Sequence, residues 1–216
     1  LRYVLPIFPY LYVSIGKLAP WAASLAGRRR PWVITSLSAC LLASLAASAS
    51  IHPHYLAYFN LVSGGPDLGS THLIDSNLDW GQDLVGLQRW VQDHAPSEPI
   101  GIAYFGQINP DLFARRGRPW NWFLPPPFPG TMDRLPPPWM GRDPTKPPRP
   151  GLYAVSASLV RGLDWRVYAP GQPGYLPAHR FAFRYFQELT PFDKIGFSIF
   201  LYRVTEADAQ RLARHW

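Results

Sequence analysis

A run of twenty uncharged residues, 32–51, is the feature that most restricts how this chain can fold. As a helix, twenty residues span roughly the 30 Å hydrocarbon core of a bilayer. A second apolar segment, residues 3–26, precedes this run and contains a single charge, Lys17, and three prolines. The serines in the run do not exclude a membrane helix, because helix hydroxyls bond back to the preceding turn and small side chains allow close packing. We therefore predict two transmembrane helices within residues 1–51.

The charges are distributed unevenly along the chain. The first 66 residues carry five basic groups and no acid, whereas residues 67–216 carry 16 basic and 14 acidic groups. This nearly balanced second part argues against nucleic-acid binding, which needs a basic face on the folded domain. Short arginine-rich loops stay on the cytoplasmic side, so the turn GRRRP at 27–31 predicts an inner (plasma) membrane protein whose residues 52–216 are periplasmic or extracellular. Because the chain opens on a leucine inside an apolar segment, we expect it to be the C-terminal part of a longer protein.

Two other interpretations of the apolar segments stay open. Arg28–Arg30 with the following apolar run and Ala47-Ser48-Ala49 resemble a signal peptide, and LSAC at 37–40 resembles a lipoprotein cleavage box. Two buried core helices would also be apolar, but they would leave the one-sided charge unexplained. Cys40 is the only cysteine, so the cysteine content does not identify the redox compartment.

Residues 52–216 are predicted to form a small α/β domain, with a mostly parallel or mixed sheet and flanking helices. Short apolar runs predict strands at residues 71–75, 100–106, 151–160 and 197–204. Helical spacing of apolar residues predicts a helix containing Trp80, Leu84, Leu87 and Val91. The last twelve residues, TEADAQRLARHW, begin with a capping threonine, carry acids in the first turn and arginines in the last, and predict a terminal helix. Alternation of strands and helices is typical of an α/β fold.

A proline-rich insertion, residues 119–150, interrupts this alternation. Twelve of its 32 residues are proline, which cannot donate hydrogen bonds to a sheet, and several aromatic residues lie among them. We predict irregular structure here. Either the insertion packs its own rings as an ordered surface loop, or it lies against the membrane interface or a partner subunit, where tryptophan is favoured.

The segment DSNLDWGQDL, residues 75–84, concentrates polar groups around one tryptophan. With Asp79 as the N-cap and Gln82 at the third helical position, its spacing predicts a capping box that begins a helix. Asp75, Asn77 and Trp80 then remain as candidate substrate or interface residues at the carboxyl end of a strand, where open α/β sheets bind ligands.

Two ligand-based interpretations of the same segment are weaker. A calcium loop needs glycine at its sixth position, which here holds Trp80. A glycosidase pair would use Asp79 and Asp83, one of them with a raised pKa, but the sequence does not indicate that either is buried.

Two histidines, His52 and His54, lie in the segment HPHYLAYFN (52–60) directly after the second apolar run. They are candidate substrate or interface residues. No further set of cysteines and histidines with ligand spacing is nearby, so we predict no metal site. With the neighbouring tyrosines, these histidines are more typical of a belt at the membrane surface.

Several of these segments, in this order, resemble the C-terminal end of a known enzyme family. The order RYVLPIFP, basic turn, last membrane helix, HPHYLAYFN and DSNLDWGQDL is similar to that of bacterial membrane glycosyltransferases of family 39, the dolichyl-phosphate-mannose–protein mannosyltransferase-like enzymes. YAVSASLVRG (153–162) and IGFSIFLYRV (195–204) are similar to that group's terminal segments. The insertion at 119–150 matches nothing in the family.

The resemblance implies a multi-pass enzyme of the GT-C membrane fold. Such enzymes transfer a sugar from a polyprenyl-phosphate carrier to a protein or glycolipid acceptor on the outer face. The resemblance leaves open whether the family uses a divalent metal or none. No cofactor is expected in this chain. The family's catalytic acid lies in the first external loop, and no acid precedes Asp67 here, so we expect the catalytic residue to lie in the missing N-terminal transmembrane part. Arg2 and Tyr3 match the family's R-Y-x-L-P motif, and Arg2 is expected to bind the carrier phosphate or to anchor the chain at the interface.

A second hypothesis requires no enzyme. The chain would then be a membrane-anchored or secreted α/β domain that binds carbohydrate or a partner protein, because the exported part carries none of the common catalytic motifs.

Overall fold

A computed structural model describes residues 6–113, 121–134, 143 and 145–216, and divides into two compact units, Leu1–His52 and Pro53–Trp216. The described part of the first unit contains the helices α1 (Phe8–Gly16), α2 (Leu18–Ser24) and α3 (Arg29–Ser50). Gly27, with a φ of 67°, makes the turn before α3.

The prediction of two transmembrane helices is wrong. Within the described residues, α3 alone is long and apolar enough to cross a membrane, judged by length and composition. The helices α1 and α2 have nine and seven residues. They are therefore only about 14 and 10 Å long. The apolar segment breaks at Lys17 because the ring of Pro20 removes a hydrogen-bond donor and clashes with the carbonyl one turn earlier.

The second unit contains four further α-helices among the described residues. They are α4 (Gly65–His72), α5 (Leu84–His94), α6 (Ala157–Val160) and α7 (Glu206–Leu212), and short 3-10 turns lie at Tyr55–Ala57, Leu61–Ser63, Asp75–Asn77, Pro110–Phe113, Arg184–Glu188 and Ala213–His215. The predicted start of the terminal helix is confirmed. Thr205 Oγ1 accepts a hydrogen bond from the Asp208 N–H at 3.1 Å, and the Asp208 carboxylate accepts one from the Thr205 N–H at 3.2 Å.

The strands of the second unit form two sheets in the described part of the chain. They are β1 (Ile100–Ala103), β2 (Trp122–Phe123), β3 (Gly151–Ser156), β4 (Trp165–Tyr168), β5 (Tyr175–Ala178), β6 (Asp193–Ile195) and β7 (Ile199–Val204). The larger sheet has the order β2-β1-β3-β7-β6, in which β1 pairs parallel with β2 and β3, while β7 is antiparallel to β3 and β6. The mixed sheet with flanking helices was predicted, and the strands near 100, 151 and 199 are confirmed. The predicted strand at 71–75 is wrong, because α4 continues to His72 and a 3-10 turn begins at Asp75.

Alternation along the strands divides the core into two layers. Leu152 and Ala154 of β3 face the layer that holds Leu84 and Leu87 of α5. Tyr153 faces the opposite layer, where its ring packs edge-on against Phe123 at 5.5 Å. Side chains of both orientations are buried along β3, so both faces of this sheet are covered and its central strands are mostly apolar.

Part of the proline-rich insertion belongs to the main sheet. Trp122 and Phe123 form β2 and are each only 6% exposed. Residues 121–124 contain no proline, so their N–H groups can pair with β1 before prolines resume at Pro125. The irregular structure predicted for 119–150 is therefore wrong at these positions. Trp120 and Trp139 lie outside the described residues.

Candidate functional site

The segment 75–84 forms a partly buried loop, and its helix starts later than predicted. A 3-10 turn at Asp75–Asn77 leads to Leu78, which is 0% exposed and draws the loop into the core. The helix α5 begins at Leu84 with Asp83 at the N-cap position. The assignment of Asp79 and Gln82 to a capping box is therefore wrong, because burial of Leu78 and the left-handed Gly81 (φ 81°) hold residues 78–83 out of the helix.

Asp79 is completely buried and only partly satisfied. Its Oδ1 accepts a hydrogen bond from the Gly81 N–H at 2.7 Å, whereas its Oδ2 has no hydrogen-bond partner within the described part of the chain. Burial raises the pKa of Asp79 to about 7, against the Gly81 bond, which lowers it, and the negative charge of Asp83 raises the pKa further. The hydroxyls of Ser156 and Ser198 lie close enough to lower this pKa, but neither completes a hydrogen bond to Oδ2. The protonation state of Asp79 therefore changes near neutral pH.

Asp83 turns its carboxylate away from the helix that it precedes. Its Oδ2 accepts a hydrogen bond from the Ser198 hydroxyl at 2.7 Å, and its Oδ1 lies 3.5 Å from Nδ1 of His54. Burial raises the pKa of Asp83, while the Ser198 hydroxyl and the charge of His54 lower it. Asp83 caps α5 only by position, without a side-chain bond to the helix, because its oxygens are engaged elsewhere.

A glycine in the turn between β6 and β7 makes room for Asp83. A Cβ added to Gly196 would overlap the Asp83 carboxylate, and its φ of 56° lies in the left-handed region. The next residue, Phe197, also has a positive φ (69°), and its ring contacts His54 edge-on at 5.9 Å. This strained turn carries Ser198 to the buried carboxylates.

The ends of two parallel strands form the floor of the site. Tyr104, just after β1, donates its hydroxyl to the Gly81 carbonyl at 2.6 Å, and burial raises its pKa well above the usual range. Ser156, the last residue of β3, accepts a hydrogen bond from the Phe105 N–H at 2.9 Å. The site therefore lies at the carboxyl edge of the parallel strands, where α/β sheets commonly bind ligands.

The residues predicted for recognition lie at this site only in part. His54 contacts Asp83. The Asp75 N–H donates a hydrogen bond to Ser158 Oγ at 3.1 Å, so the start of the loop contacts the edge of the sheet. Contrary to the prediction, Asp75 does not follow a strand. Asn77 is half-buried, and its amide donates to the Ile74 carbonyl at 3.4 Å. Trp80 is 60% exposed and donates its indole N–H to the Ser76 carbonyl.

Three other predicted residues lie outside the described part of the Pro53–Trp216 unit. His52 belongs to the Leu1–His52 unit. Arg2 and Tyr3 lie outside the described residues. Within the described part, no group of three or more potential metal-binding side chains occurs.

The sequence interpretation missed Ser156, Ser198 and Tyr104. Each comes from a segment at least 20 residues away from the loop, and a hydroxyl residue at the end of an apolar strand carries no distinctive signal. The sequence also offered Asp79 and Asp83 as a glycosidase pair. Both carboxylates are buried, so neither reaches a sugar as a glycosidase pair must.

A groove on the smaller sheet is a second feature with binding chemistry. It encloses about 440 Å³ and is lined by Asp164, Trp165, Arg166, Tyr175, Pro177, Ala178 and His179. The Arg166 guanidinium lies over the Tyr175 ring at 5.2 Å and the Trp165 ring at 5.6 Å. His179 contacts Asp133 at 2.9 Å. Rings combined with charged hydrogen-bonding groups suit a polar ligand with an apolar face.

Comparison with protein-family models gives no matching family, and comparison with curated proteins and with solved structures gives no match. The structure itself shows an α/β unit that follows an apolar helix in the chain. This unit holds two buried carboxylates, Asp79 and Asp83, and a partly exposed histidine, His54, next to Asp83.

Proposed function

We propose that this chain is the C-terminal part of a membrane glycosyltransferase that uses a polyprenyl-phosphate-linked sugar. The observation that carries the proposal is the contact between His54 and Asp83. These residues belong to HPHYLAYFN and DSNLDWGQDL, the two segments in which the family resemblance is most specific. Both segments therefore contribute to one polar site.

In this proposal α3 crosses the inner membrane, with the arginines at its start on the cytoplasmic side and residues 53–216 outside. A single-cysteine experiment tests the orientation. In a Cys40→Ser background, Gln210→Cys reacts with a membrane-impermeant maleimide in intact cells, whereas Arg28→Cys reacts only after lysis. The opposite labelling pattern contradicts the orientation.

His54 is the member of the site that a substrate can reach. Its side chain is 36% exposed, whereas that of Asp83 is 6% exposed. A carboxylate beside one nitrogen of an imidazole orients the ring, and an imidazole N–H is a hydrogen-bond donor that suits an anion such as a phosphate. We therefore assign His54 to binding the phosphate of the carrier, with Asp83 as its positioning residue. In this proposal the catalytic acid lies upstream.

The test uses the complete protein in lipid nanodiscs with a radiolabelled polyprenyl-phosphate hexose as donor. His54→Gln is expected to raise the KM for the donor about tenfold with little change in kcat, since it removes a binding interaction. His94→Gln is the matched control, because His94 lies on α5 and stacks on Trp90 at 4.9 Å. No donor turnover by the complete wild-type protein contradicts the glycosyltransferase. Equal effects of the two substitutions contradict the role of His54.

The groove on the smaller sheet favours a second candidate, a non-enzymatic domain that binds carbohydrate. Arg166 and Tyr175 would hold the ligand, because the planar Arg166 guanidinium, which lies over two rings, offers several N–H donors to a sugar. Calorimetric titration of the full chain with neutral and acidic oligosaccharides tests this function. Binding that Arg166→Ala abolishes, together with no donor turnover, selects this candidate over the first.

A further inference from the structure

The turn Leu61–Ser63 exposes two adjacent aliphatic side chains almost completely. Leu61 is 94% exposed and Val62 is 99% exposed, more than any other large apolar side chain in the described residues. Single exposed apolar residues are common on protein surfaces, but two neighbours without any cover are not. We call Leu61 and Val62 the apolar tip.

The apolar tip is held by a well-bonded turn. Oδ1 of Asn60 accepts hydrogen bonds from the Ser63 N–H at 2.9 Å and from the Ser63 hydroxyl at 2.7 Å. The Asn60 carbonyl accepts one from the Gly65 N–H at 3.0 Å, and Gly64 and Gly65 have φ values of 80° and 71°. A ring nitrogen of His72 bonds the Ser63 carbonyl at 2.9 Å. These bonds preorganise the turn and project the tip into solvent.

The surroundings of the apolar tip suit a lipid surface. Leu68, half exposed, lies against Gly64 and extends the apolar area beside the tip. The acid nearest in sequence, Asp67, is paired with Lys194 at 2.6 Å, so it presents no isolated negative charge.

We propose that Leu61 and Val62 insert into the outer surface of the bilayer that α3 crosses. The inference rests on the membrane-spanning role of α3 in the proposed function. Only residues 51–60 separate α3 from the tip, a length of at most about 36 Å when fully extended. The surface area of three aliphatic side chains is much smaller than the roughly 800 Å² that each partner buries in a specific protein interface. A bilayer, in contrast, needs no complementary shape.

The test measures lipid contact of the tip in the full chain. Val62→Cys in a Cys40→Ser background is labelled with an environment-sensitive nitrobenzoxadiazole dye and reconstituted into phosphatidylcholine nanodiscs, with and without spin-labelled acyl chains. Insertion predicts about a twofold loss of fluorescence from the spin labels and a blue-shifted emission, since an inserted apolar side chain reaches the acyl boundary. Gln210→Cys on α7 is the aqueous control, and Leu42→Cys within α3 is the lipid control.

The controls separate the inference from the proposed function. If the dye at 42 is quenched and the dye at 62 is not, α3 is in lipid and the inserted tip is refuted, whether emission at 62 indicates water or a protein contact. If the dye at 42 is not quenched, the membrane-spanning role of α3 fails, and the inference fails with it. Leu61→Cys repeats the measurement at the neighbouring position and guards against a local effect of the label. Unchanged circular dichroism of each labelled protein verifies its fold.

Discussion

Replacing Asp79 with asparagine is expected to stabilise the protein at neutral and alkaline pH. The folded protein raises the pKa of this carboxyl from 3.8 to about 7, chiefly through burial. A raised pKa in the folded state means that ionisation opposes folding. The contribution of protonated Asp79 to the free energy of unfolding is fully present below about pH 4. It is lost as the pH rises toward 7, because the unfolded chain releases the proton at a lower pH than the folded protein does.

The magnitude follows from the shift of about three pKa units. At 1.36 kcal/mol per unit, ionisation of Asp79 decreases the free energy of unfolding by about 4 kcal/mol between pH 4 and pH 8. Asp79→Asn keeps the shape and the acceptor for the Gly81 N–H, and its amide group takes the place of Oδ2, which has no partner in the described residues. The variant and the wild type should therefore have similar stability at pH 4, and the variant should be more stable at pH 8. A smaller dependence remains in the variant, because burial also raises the pKa of Asp83.

Urea unfolding of the full chain in a nonionic detergent, followed by near-ultraviolet circular dichroism from pH 4 to 8, measures this difference. Asp93→Asn, an exposed aspartate on α5, is the matched control and should parallel the wild type at every pH. A difference between Asp79→Asn and wild type that does not change with pH would refute the reasoning. A variant less stable than wild type at pH 8 would refute it as well.

Three further substitutions test the geometry of the same unit by urea or thermal unfolding. Gly196→Ala should lower the free energy of unfolding by about 1 to 3 kcal/mol, because its Cβ would overlap Asp83 and its φ is positive, whereas Gly174→Ala, with open space around it, should change little; similar losses would contradict the close approach. Leu78→Ala should cost about 2 to 5 kcal/mol, since Leu78 is fully buried and anchors the loop; a loss below 1 kcal/mol would place the residue outside the core. Thr205→Ala should cost about 1 kcal/mol by removing the capping box, and an unchanged melting temperature would argue against it.

Elements with strong local signals were predictable from the sequence. The terminal helix has its threonine cap, its acids and its arginines within twelve residues, so local rules are sufficient. The central strands were predictable because both sheet faces are buried, which makes these strands mostly apolar. The apolar run after Arg30 likewise predicted a helix long enough to cross a membrane.

Where local rules competed with each other or with burial, the prediction failed. The spacing of Asp79 and Gln82 satisfies a capping rule, but burial of Leu78 contributes more free energy than the cap and delays the helix to Leu84. The first apolar segment had the length of a membrane helix, but Pro20 divides it.

Sequence alone determined three features of this protein: an apolar N-terminal part, a mixed α/β unit, and a polar loop that precedes the first strand of that unit. Tertiary structure decided what the loop does. It placed Ser198 against Asp83 across 115 positions and removed water from Asp79. The pKa of a carboxyl group depends on its solvation and on charges within a few ångströms, and both are set by residues distant in the chain.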